Sequence, residues 1–138
     1  MPAKDIYHDT VKRALEKDGW RITAESFQLP WWGTRACIDI IADNVFVAEK
    51  EGRKIAVEVK SFVGKSNLSE LEKAIGQFII CRFAMRREDA ERELFIAVGE
   101  RIYNKFFLHP DVIELIEIEN LKIMVFDELK EVIVRWIN

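Results

Sequence analysis

The chain has 138 residues, 49% of them hydrophobic and 33% charged, with a formal net charge of −3 and a pI near 5.5. This length supports one domain, 1–138, with a real apolar core, and the acidic balance excludes a protein that coats nucleic acid by bulk electrostatics. No apolar run reaches the ~20 residues needed to span a bilayer, and neither a signal peptide nor a zinc-type spacing around Cys37 and Cys81 is visible, so the chain reads as cytoplasmic and reduced.

Tyr7, Val11, Ala14 and Leu15 recur on one side of a helix expected from about Asp5 to Asp18, with Asp5 as N-cap and Gly19 as stop. His8 rides on that helix and reads as a structural histidine, exposed or packed. Trp20, Ile22 and Ala24 then alternate with Arg21, Thr23 and Glu25, the pattern of a half-buried strand. Leu29-Pro30-Trp31-Trp32-Gly33 breaks it. The tandem tryptophans either fold back onto the core, the favoured reading, or offer aromatic anchors to a protein partner. Ala36 to Ala42 reads as a second strand carrying Asp39, and Val45 to Lys50 as a strand entering a turn at Gly52.

The next stretch, Lys54-Ile55-Ala56-Val57-Glu58-Val59-Lys60-Ser61-Phe62, organises the rest. Ile55, Val57 and Val59 alternate with Glu58 and Lys60, so two opposite charges project from one face of a strand otherwise suited to burial. Unpaired buried charge is very costly, so the two either satisfy each other or hold a metal ion and a phosphate. The triplet alone carries no weight: this composition makes acid-x-Lys common by chance, and it recurs at Glu128-Leu129-Lys130. What separates the two copies is context, a β-branched run in one case and a polar turn in the other.

Ser69 and Glu72 have the spacing of a capping box opening a helix, in which Leu71, Ala74, Ile75, Phe78, Ile79 and Arg82 form one stripe. Gln77, Cys81 and Ala84 form another. Arg82, Arg86 and Arg87 make the helix end basic, which suits its dipole and by itself says nothing of DNA. Leu94 to Val98 is a continuous apolar run and reads as a fully buried strand. Pro110 suits the first position of a helix from Asp111 to about Glu119. Lys122 to Phe126 and Val132 to Trp136 read as two strands joined by the Asp127–Glu131 turn. The strand–helix–strand order predicts a parallel pair, and the whole order predicts an α/β sandwich on a mixed central sheet with helices on both faces. Val57, Val59, Leu94, Phe95, Ile96 and Val98 are the expected core.

That order, with an acid on the second strand and Glu-x-Lys on the third, resembles the restriction-endonuclease-like PD-(D/E)XK superfamily. Within it, Lys17-Asp18-Gly19-Trp20, Ile38-Asp39, Ala48-Glu49-Lys50, the Lys54–Phe62 stretch, Ala74-Ile75-Gly76-Gln77, Val125-Phe126 and Val132-Ile133-Val134 look like the XisH family of FdxN element excision controlling factors. The resemblance covers nearly the whole chain. It implies an endonuclease-like fold and a role in programmed, site-specific DNA excision from a nitrogen-fixation locus, beside a recombinase and a second small factor, XisI.

Phosphodiester hydrolysis needs an activated water and a counter-charge for the developing phosphorane oxygens. Asp39 and Glu58 would bind Mg²⁺ or Mn²⁺ through hard oxygens, helped by the Val59 carbonyl. Lys60 would face the same phosphate as an electrostatic stabiliser. Gln77 would approach from the following helix, matching the Gln of a Q-x-x-x-Y motif in which Cys81 here replaces the tyrosine. A regular hairpin about Gly52 would pair Glu58 with about Phe46, leaving Asp39 roughly 23 Å away at ~3.3 Å per residue. Asp39 therefore joins Glu58 only if a bulge or turn, most naturally at Asp43-Asn44, takes up the slack; otherwise Asp43 or Glu49 are rival acids. Two functions of different class follow. One is a metal-dependent DNA endonuclease, or a DNA-binding factor that keeps the site, with any DNA contact local or partner-assisted. The other is an inactive assembly module that binds XisI, the recombinase or a second copy of itself.

Overall fold

The computed structural model describes residues 6–25, 45–64 and 66–138. The expected strand at Ala36–Ala42, the tryptophan loop with Trp31 and Trp32, and Asp5, Cys37, Asp39 and Asp43 lie outside the described residues. In chain order the elements are α1 (His8–Lys17), β1 (Arg21–Ala24), β2 (Val45–Lys50), β3 (Arg53–Val59), α2 (Asn67–Glu88) and β4 (Glu93–Gly99). There follow a one-turn α3 (Glu100–Ile102) that runs into a π-helical turn (Tyr103–Phe107), α4 (Pro110–Ile118), β5 (Ile123–Asp127) and β6 (Val132–Ile137).

The strands form one sheet in the order β1-β2-β3-β4-β5-β6. β3, β4 and β5 run parallel, joined by helical crossovers, and the outer pairs β1/β2, β2/β3 and β5/β6 are antiparallel. The expected mixed sheet with helices on both faces is what forms. Along β3 the period-2 alternation sends Ile55, Val57 and Val59 to one face, where they pack with Val11 and Leu15 of α1, Phe95, Phe126 and Trp20. Ala56 faces the other way, into a second core built by α2, Ile96, Val98 and Phe107. Leu94–Val98 is buried throughout, so β4 shows no face to water, as its unbroken apolar run predicts.

Several boundaries differ from expectation for identifiable reasons. Ser66, not Ser69, caps α2: its hydroxyl accepts from the Ser69 N–H at 3.2 Å, and the helix begins one turn earlier. Both serines have capping chemistry, and only the chain path chooses between them. On α2 the buried stripe is Leu71, Ala74, Phe78, Cys81, Ala84 and Met85, which merges the two stripes expected, whereas Ile79 faces outward. At the β2–β3 hairpin, Lys50 pairs with Arg53 and the two-residue turn is Glu51-Gly52, both with positive φ (51° and 82°). That conformation matches the right-handed twist of the flanking strands, and glycine at the second position adopts it without a Cβ penalty. The turn centre thus falls between Glu51 and Gly52, and Glu58 pairs with Val45, one residue from the expected Phe46. The α3 and π-helical segments lack a periodic signature in the sequence and are new with the structure.

Candidate functional site

Glu58 and Lys60 sit at the C-terminal end of β3 on the face that α2 covers. Glu58 lies between Val45 of β2 and Ile96 of the parallel neighbour β4, and only 3% of it is exposed. One carboxylate oxygen, Oε1, is 3.5 Å from the Lys60 ammonium. The other, Oε2, is buried with no hydrogen-bond partner. An orphaned carboxylate oxygen in a core is expensive, and that cost favours the neutral form. Burial pushes the Glu58 carboxyl above the ordinary range for glutamate, and the adjacent Lys60 charge pulls it partly back.

Lys60 is held from a second side. Its Nζ donates to Oε1 of Gln77, which α2 delivers from the middle of its length. α2 therefore does bring Gln77 into the cluster, as the resemblance implies. One turn on, Cys81 occupies the place where the motif has tyrosine; it is 1% exposed. Its thiol is pushed up to about 12, by burial first and by the Glu58 charge second, so it stays protonated and inert as a nucleophile. Cys81 thus closes the floor beneath Glu58 and supplies no charge.

The exit from β3 is anchored tightly. The Lys60 N–H donates to the Ala97 carbonyl at 3.0 Å, which extends the β3/β4 ladder to the site residue itself. Two residues later Phe62 adopts φ +55°, a left-handed conformation uncommon for a bulky side chain, and its buried ring meets Phe107 edge-on at 5.3 Å. Burial of the Phe62 ring against the π-helical turn offsets that strain, and no sequence signal marks the position. Lys60, with a fifth of its side chain exposed, and the half-buried Gln77 are where solvent reaches the cluster, whereas Glu58 is buried.

The remaining expected residues fall as follows. The Val59 side chain is buried on the α1 face, so only its main chain neighbours the cluster. Glu49 is ruled out as the rival acid. β2 is regular from Val45 to Lys50, which places Glu49 four residues, ~13 Å, from the Val45 pairing with Glu58. There it bonds Arg21 at 3.0 Å. Asp39 and Asp43 lie outside the described residues, and Asp39 is six residues from Val45. Among the described residues, no three His, Cys, Asp or Glu side chains come together in a way that could hold a metal ion. The donor that is present is a hard oxygen: Glu58 Oε2 is buried and without a hydrogen-bond partner, and a cation held there would favour the ionised form that burial alone disfavours. That donor is one carboxylate, and the second acid expected from the sequence, Asp39, lies outside the described residues. No helix among the described residues is long and apolar enough to cross a membrane.

Comparison with known proteins puts these residues in a family context. A family model described as XisH protein matches residues 1–134. Two crystal structures are similar over almost their full lengths. An XisH family protein from Nostoc punctiforme shares 42% identity at TM-score 0.88, covering 97% of this chain and 100% of the other. An FdxN element excision controlling factor protein from Anabaena variabilis shares 40% identity at TM-score 0.87, covering 97% and 99%. No curated protein matches the chain.

Proposed function

The chain belongs to the XisH family, and from that premise we propose that it takes part in the controlled excision of a DNA element as a nuclease-like factor with a divalent-metal phosphodiester centre on a restriction-endonuclease-like (PD-(D/E)XK) sheet. The excision role follows the name of the Anabaena relative. The chemical part rests on one observation: Glu58 Oε2 is buried and unsatisfied beside a lysine that a second helix holds in place. A fold with no use for this arrangement would lower its cost by replacing Glu58 with an apolar residue.

In this reading Glu58, with Asp39 and the Val59 carbonyl, would hold Mg²⁺ or Mn²⁺, which when bound would supply a water of lowered pKa and neutralise phosphate charge. Lys60 places its ammonium where negative charge would develop on the phosphate oxygens, and Gln77 fixes that ammonium so that little reorganisation accompanies reaction. Cys81 keeps the floor dry and uncharged.

A second reading, an assembly module acting through an XisI-type partner, the recombinase or a second copy, is favoured by the Glu58–Lys60 contact at 3.5 Å, which is also what a structural ion pair looks like. One experiment separates the two. Millimolar Mn²⁺ or Mg²⁺ should raise the melting temperature by several degrees, because binding relieves the buried carboxylate, and Glu58→Ala should abolish the rise. Metal-dependent nicking of duplex or branched DNA that is lost in both Glu58→Ala and Lys60→Ala establishes the enzyme. A metal shift without cleavage assigns the centre to binding. No shift at all leaves the ion pair and the assembly role.

A further inference from the structure

A cavity of about 260 Å³ opens beside the C-terminal half of α2, where it faces the start of β4 and the α4–β5 junction. Its wall carries Arg82, Arg86, Arg92 and Lys122 against one carboxylate, Glu93. On a chain of net charge −3 this is a local reversal of sign. Glu93 is already neutralised: it accepts from Lys122 at 3.1 Å and lies 3.6 Å from Arg53. Arg92 is tied into the fold, donating to Asp89 at 3.1 Å and to the Ile55 carbonyl at 3.1 Å with its Nη2 3.9 Å from Glu49, so its main contribution to the cavity is field.

The other two arginines are different. Arg82 commits one nitrogen, Nη1, to the carbonyls of Glu119 and Asn120 at 3.2 and 3.3 Å, while its guanidinium lies over the Phe78 ring at 5.2 Å. These contacts fix the plane of the fork and leave its remaining N–H groups unused among the described residues. Arg86, one turn further on, forms no hydrogen bond or ion pair among the described residues. Arginine in the last turn of a helix suits the dipole. The dipole does not call for a cavity, nor for Lys122 converging on it from another element.

We propose that this cavity binds a phosphate group, carried either on a free nucleotide or on a polynucleotide backbone, with Arg82 and Arg86 as the donors. A pre-oriented guanidinium beside a flexible one is the donor set that matches tetrahedral oxyanions in two-point contact. The backbone case rests on the DNA role proposed above, but the cavity shares no residue with Glu58, Lys60 and Gln77. Ile96, which neighbours Glu58, is three residues, ~10 Å, from Glu93 along β4. The two sites can therefore fail separately.

The test uses the full chain without added metal. Titration with 5′-AMP and with a short labelled DNA duplex is followed by amide chemical shifts and by fluorescence anisotropy. One or both ligands should shift the amides of Ala90–Leu94 and Asn120–Lys122. Arg86→Ala should weaken binding severalfold and lower the salt slope by about one, with its melting temperature unchanged. Lys130→Ala removes the same charge from an exposed turn outside the cavity and should leave binding within about twofold. Binding of DNA without AMP identifies the backbone as the source, and competition by AMP identifies a nucleotide pocket. Either result should persist in Glu58→Ala. The proposal is overturned if neither ligand moves these amides, or if Arg86→Ala and Lys130→Ala weaken binding equally.

Discussion

The same triplet, Glu-x-Lys, occurs twice in this protein with opposite fates. At Glu58-Val59-Lys60 the central valine is fully buried in one core, and the two charges face α2 on the other side of the sheet. At Glu128-Leu129-Lys130 the central leucine is 92% exposed, and the triplet forms the β5–β6 turn. There Glu128 accepts from the Arg101 N–H at 3.1 Å and the Lys130 carbonyl accepts from Lys17 at 2.9 Å, ordinary surface bonds between loops. Identical residue types have different chemistry because desolvation, not composition, decides what a carboxylate and an ammonium can do. At the turn the charges are screened. On β3 they act on each other across 3.5 Å in a desolvated setting.

The comparison breaks most visibly in activity. Glu58→Ala should reduce the proposed metal-dependent DNA nicking at least about 100-fold, whereas Glu128→Ala should leave it unchanged in the same assay. Equal effects would mean that neither triplet is special. In stability the largest contrast lies between neighbouring environments. Phe95→Ala, which empties a fully buried site against Trp136 (ring centroids 4.9 Å apart), should cost about 3–5 kcal/mol by chemical denaturation. Leu129→Ala should stay within about 0.5 kcal/mol.

A smaller effect sharpens the contrast through pH. Burial raises the Glu58 pKa in the folded state above its unfolded value, so the folded protein binds more protons over that interval. Stability is then highest below the unfolded value and falls as pH rises through the folded one. Glu58→Gln should remove that slope, melting a few degrees above wild type at alkaline pH and converging with it in acid. Melting curves across pH check this.

Much of this was legible beforehand, for local reasons. β3 and β4 follow from side-chain alternation and from an unbroken apolar run, and α4 from Pro110 at its first position. The Glu58/Lys60 pairing was readable because both lie on one strand face within two residues. What escaped depends on the chain path. The choice of Ser66 over Ser69 turns on where α2 begins, and the one-residue shift in register turns on Glu51 sharing the turn with Gly52. The bond from Gln77 to Lys60 spans the sheet and α2, so spacing alone could hint at it only through the partial Gln77-x-x-x-Cys81 motif. The left-handed Phe62 and the π-helical turn beneath it are tertiary outcomes of packing two aromatic segments together, with no periodic trace in the sequence.

The thiol of Cys81 turns the floor of this cluster into a built-in clock. Held at 1% exposure and pushed up to about 12, it is shielded from alkylating reagents both sterically and by lack of thiolate. In a Cys37→Ser background, iodoacetamide would therefore label only molecules in which α2 has lifted from β3. The labelling rate would report how often the helix that carries Gln77 lets go of Lys60, and a ligand seated on Glu58 would slow it in proportion to its grip.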